Sequence, residues 1–336
     1  KDNQSFRYKV KNIESKKFEN MIRSDKKKIF RDSLEFTSTL AVALFTTKKE
    51  YESGQVHTMM NEYVSKMPSR HFCFDLHIIF DQGNETEYKD LLNYSAHKNL
   101  QNIFIHSLEI PDKDNVYSRV YNRFEIIPEY RKQDAPEMGT TSGPNNLFYK
   151  GMRFLKEKKY ENYLLLETDT KPTQEFWFDQ LHQHCSVDEF HILGSTYKGN
   201  QKQSDEAWWR DHLNGVAIYK NCAPVHELIE KSCETIKEII SLSWTIIQQF
   251  NIEDVLSPIP DSVPEAWKGL GSLSLCLNYD LAIYLMTQED PYKNHANLYK
   301  NCDFITNTSL PADQEIPQKE ILSKHPETLI LHQKYK

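Results

Sequence analysis

Glycine is scarce in this chain. It supplies 10 of 336 residues, against a usual share of roughly 7%, and it is the residue from which phosphate-cradling loops are made. The nearest approach to a dinucleotide fingerprint, Gly269-Leu-Gly271-Ser-Leu-Ser274, lacks its third glycine, and neither G-x-x-x-x-G-K-[ST] nor G-x-S-x-G occurs. Walker-type ATPases, Rossmann dehydrogenases and elbow-serine hydrolases are therefore disfavoured. The six cysteines, Cys73, Cys185, Cys222, Cys233, Cys276 and Cys302, are scattered with no C-x-x-C pair and no zinc-finger spacing, so free, mostly buried thiols are expected. No stretch approaches 18 consecutive apolar residues, which leaves no candidate membrane span, and nothing resembles a signal peptide. A large charge excess is absent too. Forty-one Lys+Arg against 48 Asp+Glu give a net charge of −7, which argues against a polybasic nucleic-acid binder. With 39% hydrophobic and 12% aromatic residues, the composition is that of a globule, not of a disordered chain.

The length suits one large or two small domains with an ample core. Residues 1–35 are crowded with Lys, Asn, Asp and Ser, including Lys26-Lys27-Lys28, and are expected to form a charged, solvated arm or linker; residues 36–336 are expected to form one domain. The chain opens at Lys1 without a methionine, as an excised piece of a longer protein would. Sequons at Asn3, Asn84, Asn93 and Asn307 arise by chance in an Asn-rich chain and carry little weight. The compartment is thus left open, with the cytoplasm slightly favoured over a Golgi-type lumen.

From Leu40 onward the pattern becomes regular. Leu40-Ala-Val-Ala-Leu-Phe45 reads as a strand buried on both faces and closed by Thr46-Thr47. Val56, Met59, Met60, Tyr63, Val64 and Met67 mark a helical stripe that ends before Pro68. Strands are expected at 71–80, ending in the turn cluster Asp81-Gln-Gly83-Asn84, and at 102–110. A helix enters at Ser142-Gly143-Pro144-Asn145-Asn146 and leads into the strand Tyr163-Leu-Leu-Leu166. Further strands are expected at 190–197, 213–219, 302–306 and 328–332, with helices over about 225–250 and through 280–286. Short apolar strands alternating with helices mean an α/β protein with a mainly parallel sheet. Ligands of such folds sit beyond the carboxyl ends of the strands, and those ends here carry Thr46-Thr47, Asp81 and Glu167-Thr168-Asp169, residue types suited to a polar ligand and a cation.

The acidic triplet stands out by its context. It follows three leucines in a strand that should be central, and Lys171-Pro172 is expected to stop that strand at once. Burying unpaired carboxylates there would cost several kcal/mol without a cation or hydrogen bonds. An apolar strand running into such a triplet resembles the GT-A fold glycosyltransferases, the nucleotide-diphospho-sugar transferase superfamily, whose D-x-D motif is placed in this way and appears here as the variant Glu-Thr-Asp. The resemblance covers roughly Leu40 to His332. It implies that Asp169 coordinates Mn²⁺ or Mg²⁺ bridging the donor phosphates, that Glu167 contacts the ribose, the donor sugar or the metal, and that His332, after the last strand, completes the metal site. It further implies donor contacts from Thr46, Thr47, Asp81, Asn145, Asn146, Lys150, Asn214 and Gly215, sugar stacking by Trp208 or Trp209 on the acceptor side, and a general base at Asp280.

The implied partners are a nucleotide-sugar donor and a glycan or glycoconjugate acceptor, with no nucleic acid; the oligomeric state is left open. The implied activity is metal-dependent hexosyl or pentosyl transfer to a hydroxyl, with inversion favoured, as in glycan-decorating enzymes of large DNA viruses and bacteria. Three alternatives differ in kind. A glycoside hydrolase would need carboxylates flanking a glycosidic bond, which two acids on one strand end do not do. A non-catalytic nucleotide-sugar-binding module would keep the site without turnover. A nucleotidyltransferase of related fold would carry a Gly- and Lys/Arg-rich first loop that Thr46-Thr-Lys-Lys-Glu50 does not reproduce.

Overall fold

The computed structural model describes residues 38–117, 136–199, 211–249, 275, 277–295, 297–308 and 316–333, all within one unit of the chain, 38–336. The expected arm over 1–35, the pair Trp208-Trp209 and Cys276 lie outside the described residues.

Seven strands form the main sheet: β1 (Leu40–Thr46), β2 (Phe74–Phe80), β3 (Leu100–Ser107), β4 (Asn162–Leu166), β6 (Ile192–Gly194), β7 (Ala217–Lys220) and β8 (Tyr299–Asn301), in the order β3-β2-β1-β4-β7-β6-β8. All neighbours run parallel except β7, which is antiparallel to both β4 and β6. The acidic triplet therefore leaves the central strand, as its leucine run implied. A second sheet joins β5 (Thr170–Pro172), β10 (Ile330–His332) and β9 (Ile305–Asn307).

Why the strands read as continuous apolar runs is clear from where their faces go. Side chains alternate across a strand: Leu40, Val42 and Leu44 enter one core, while Ala41, Ala43 and Phe45 enter another on the opposite face. Strand β4 divides likewise, with Leu164 and Leu166 on one side and Tyr163 and Leu165 on the other. Helices α1 (Lys48–Glu52) and α2 (Gln55–Ser65) connect β1 to β2, and a 3₁₀ segment over Glu85–Ala96 connects β2 to β3. Helix α3 (Ser142–Lys156) precedes β4, and α4 (Trp177–Val187) follows β5; α5 (Ala223–Gln249), α6 (Tyr279–Thr287) and α7 (Gln318–Lys324) follow further along the chain. Helix α3 lies so close to β1 that a Cβ on Gly151 would stand 2.5 Å from the Phe45 ring.

Several expected elements differ in extent. The segment 213–219 is a strand only from Ala217, because Asn214 turns the chain by accepting from the Val216 amide at 3.1 Å; Asn214 and Gly215 therefore sit in the loop before β7. The run 190–197 is regular only over Ile192–Gly194, and of 302–306 only the end is strand, in β9, while β8 lies just before it. Strand β4 ends at Leu166, before Lys171-Pro172, and that pair joins β5 instead, since a proline at an edge position needs no ladder N–H. Among the five described cysteines all are free, with Cys233 and Cys302 buried and the other three partly exposed. No helix among the described residues is long and apolar enough to cross a membrane.

One feature of the sheet couples stability to pH. His77, on β2, is 2% exposed and lies ring-to-ring with His106 on β3, Nδ1 to Nε2 3.4 Å, while its Nε2 meets the Tyr160 hydroxyl at 3.4 Å. Asp75 and Lys158 are the charged neighbours. Burial, with repulsion from the His106 ring next, lowers His77 from 6.5 to about 4, and burial with Lys158 lowers His106 to about 4. Because the unfolded chain takes up protons that the native rings refuse, this contribution is complete above pH 6.5 and is lost as pH falls through about 4. The loss expected from His77 is roughly 3 kcal/mol at the acid end. Urea midpoints measured from pH 7 to 4 should fall across that window, and His77→Phe, which keeps a flat ring against Phe104, should flatten the dependence.

Candidate active site

The carboxyl ends of β1, β2 and β4 open into a cavity of about 750 Å³ whose walls include Thr47, Asp81, Glu167, Asp169, Asn214, Asp280 and His332. Local chemistry fixes each wall. At the end of β1, Thr47 caps α1: its hydroxyl accepts from the Glu50 amide at 3.1 Å, and the Glu50 carboxylate accepts from the Thr47 amide at 2.8 Å, a reciprocal pairing that satisfies two otherwise orphaned helix donors. At the end of β2, Asp81 is 3% exposed. One of its oxygens accepts from the Lys48 and Gln82 amides, each at 2.8 Å; the other accepts from Asn115 Nδ2 at 2.8 Å and from the Tyr117 hydroxyl at 3.5 Å.

The acidic triplet meets His332 because of a strand pairing. Antiparallel β5 and β10 set His332 opposite Thr170, and the Gln333 amide donates to the Asp169 carbonyl at 3.2 Å. The His332 Nε2 then lies 3.0 Å from Asp169 Oδ1 and 3.5 Å from Glu167 Oε2. One donor atom from each of the three lies within 4.8 Å of the others, with the imidazole buried at 2% exposure and the carboxylates at 35% and 23%. Two oxygens and a nitrogen converging at a cavity wall fit a divalent cation.

The remaining expected residues separate into those at the cavity and those behind it. Asp280 lies in the first turn of α6 and lines the cavity, with Oδ1 accepting from the Leu281 amide at 2.8 Å and Oδ2 3.8 Å from His212 Nε2. Thr46, Asn145, Asn146, Lys150 and Gly215 do not line it. Thr46 is fully buried and its hydroxyl donates to Glu50 Oε2 at 3.1 Å. Asn145, expected to lean toward the donor, is fully buried too: its amide donates to the Leu277 carbonyl at 2.9 Å and its oxygen accepts from the Tyr279 amide at 2.8 Å, which joins α3 to the start of α6. Asn146 donates to the Asp114 carbonyl at 3.0 Å.

Sequence reasoning passed over Glu50, Asn115, Tyr117, His212 and Tyr279. Only Glu50 had a local signal, the T-x-x-E spacing of a capping box. Tyr279 lines the cavity, stacks on Phe148 at 3.9 Å between centroids and donates to Glu167 Oε1 at 3.3 Å. Burial, with the Glu167 carboxylate next, raises its phenol well above the ordinary value, so it stays protonated as that donor.

No family model and no curated protein matches the chain. Solved structures to which it is similar include mouse xyloside xylosyltransferase 1 in its apo form (11% identity, 88% of this chain and 97% of that one, TM-score 0.42). Also similar are the galactosyltransferase LgtC in complex with donor and acceptor sugar analogues (10% identity, 88% and 86%, TM-score 0.44) and the apo glycosyltransferase GlyE of Streptococcus pneumoniae TIGR4 (13% identity, 87% and 53%, TM-score 0.40). The chain thus spans about half the length of GlyE.

Gly215 explains how Tyr279 reaches Glu167. A Cβ at position 215 would stand 1.8 Å from the Tyr279 hydroxyl and 2.7 Å from the carbon that bears it. Gly215→Ala must therefore displace the ring, at an expected loss of about 1–3 kcal/mol of stability. Tyr279→Phe removes the closest contact, so the double variant should be more stable than the sum of the two single losses predicts. Chemical denaturation of the four proteins measures this coupling.

Proposed function

We propose that this chain is a metal-dependent glycosyltransferase that moves a sugar from a nucleoside diphosphate donor to a hydroxyl of a glycan or glycoconjugate, with inversion at the anomeric carbon. The observation that carries the reading is the convergence of Glu167, Asp169 and His332 on a cavity beyond the carboxyl ends of a mainly parallel sheet, with a separate carboxylate, Asp280, on the same cavity.

In this reading Asp169 and His332 hold the cation, with Glu167 beside them as a third ligand or a donor contact. A bound divalent cation supplies Lewis-acid neutralisation of the diphosphate, without which that group leaves poorly. The protein's own residues do the rest. Thr47, Asn214 and the wall that Asp81 organises through Asn115, Tyr117 and the Lys48 amide flank the donor. Asp81 serves it indirectly, since its carboxylate is already taken up by protein donors.

Asp280 accepts the proton of the acceptor hydroxyl as that oxygen forms its bond to the anomeric carbon. The bond from that carbon to the diphosphate oxygen breaks in the same displacement, and nucleoside diphosphate departs with its electron pair. His212, 3.8 Å from Asp280, helps to orient the base, and the Leu281 amide fixes one of its oxygens so that the other faces the acceptor. Trp208 and Trp209 remain candidates for stacking on the acceptor.

A panel of nucleotide sugars tested by thermal shift and nucleotide release, with Mn²⁺ or with EDTA, examines the reading. One donor should raise the melting temperature only when metal is present, in proportion to its affinity, and Asp169→Ala should abolish both the shift and the release. Asp280→Asn should keep the thermal shift and lose transfer by about 10²–10⁴-fold. Donor binding without turnover in the wild type, across a range of acceptors, would point instead to a binding module. If no donor binds, or if Asp169→Ala matches wild type, the proposal falls.

A further inference from the structure

We infer that Glu50 and Thr168 form a clamp that positions the acidic triplet for its cation, an inference that rests on the metal-site reading above. The Glu50 carboxylate gathers donors from two strand ends at once. Its Oε2 accepts from the Thr47 amide at 2.8 Å, from the Thr47 hydroxyl at 3.0 Å and from the Thr46 hydroxyl at 3.1 Å, all at the end of β1. Its Oε1 accepts from the Thr168 hydroxyl at 2.6 Å. Thr168 is the middle residue of the triplet, so the bond fixes the backbone between the two acids that face His332.

The capping box needs only one oxygen of Glu50, and a capping glutamate requires no partner 118 positions away in sequence. The second oxygen therefore does something that helix capping does not explain. Strand β4 ends at Leu166, just before the triplet, so the ladder hydrogen bonds that would hold Glu167 and Asp169 in place have stopped. On one side the chain is held by β5 and its pairing with β10. On the other, the Thr168 hydroxyl anchors it to the capped end of α1. Glu50 is accordingly a positioning residue, acting on the metal ligands through Thr168. A threonine at the middle position of the triplet is needed for its hydroxyl.

Mn²⁺ binding to the whole chain in the absence of any donor, followed by the loss of the free-ion electron paramagnetic resonance signal, gives a readout independent of turnover. Thr168→Val, which keeps the shape and removes the hydroxyl, should weaken Mn²⁺ binding by about tenfold, the lower end of what loss of an outer partner costs a metal site. Thr168→Ser should restore it. Glu50→Gln leaves a single acceptor oxygen to serve both strand ends and should weaken binding similarly. The double variant Glu50→Gln/Thr168→Val should be no weaker than the worse single one, because both act on the same bond. Near-ultraviolet circular dichroism confirms that each variant is folded. Wild-type affinity in a folded Thr168→Val overturns the clamp and leaves the metal site standing. Additive losses in the double variant, or a Thr168→Ser as weak as the valine form, also overturn it. A wild type that binds no Mn²⁺ overturns both the clamp and the metal reading.

Discussion

The antiparallel pairing of three residues, Thr170–Pro172 with Ile330–His332, is the constraint on which the candidate site depends. The two segments are far apart in sequence, and neither belongs to the main sheet. Their register sets His332 opposite Thr170, one residue past Asp169, and so fixes a buried imidazole beside two carboxylates. A slip of one residue would turn the histidine to the other face of the strand, away from the acids. The small sheet is held by more than its ladder. Ile305 and Ile330 pair within it and both enter the core that Leu164 and Leu166 also enter, so the packing that stabilises the central strand also holds the strand that carries the histidine.

The same economy appears on the opposite side of the triplet. Helix α3 reaches α6 through Asn145, whose carboxamide nitrogen donates to the Leu277 carbonyl and whose oxygen accepts from the Tyr279 amide. That fixes Tyr279, which stacks on Phe148 and donates to Glu167. A fully buried asparagine is costly unless its polar atoms are bonded, and here bonding them orders the first turn of the helix that bears Asp280. Residues behind the cavity therefore govern those in front of it, and truncating Asn145 would disturb two walls at once.

The fold was legible from the sequence because both faces of the central strands are buried. Leu40–Phe45 and Tyr163–Leu166 carry unbroken apolar runs, and the carboxylates that follow them mark the strand ends where ligands of such sheets collect. Glu167 and Asp169 stand out at a strand end, His332 and Asp280 follow from the resemblance, and the structure gathers all four at one cavity. The supporting residues could not be picked out in this way. Asn145 has the signature of a helix start, and nothing local reveals that its side chain turns inward to a loop more than 130 residues away. Asn214 and Gly215 read as strand because apolar residues surround them, yet a side-chain-to-backbone bond at Asn214 outweighs that pattern. Strand β5 was obscured by its proline, which marks an end in a central strand but is tolerated at an edge.

The carboxylates around the cavity differ in what surrounds them, and the difference bears on the metal-site proposal. Asp81 and Glu50 are each encircled by backbone amides, hydroxyls or a carboxamide, dipoles that stabilise a buried negative charge within the protein itself. Asp280 has its own helix start, where the backbone dipole favours an anion, and a histidine nearby. Glu167, which also accepts from the Tyr279 hydroxyl, and Asp169 face one imidazole together. Two carboxylates brought to one point repel each other. A divalent cation would reverse the balance, turning the mutual repulsion of the two acids into joint attraction. In the reading proposed above, the partition separates acids that shape the cavity from acids that would hold the ion, and both kinds line the same cavity.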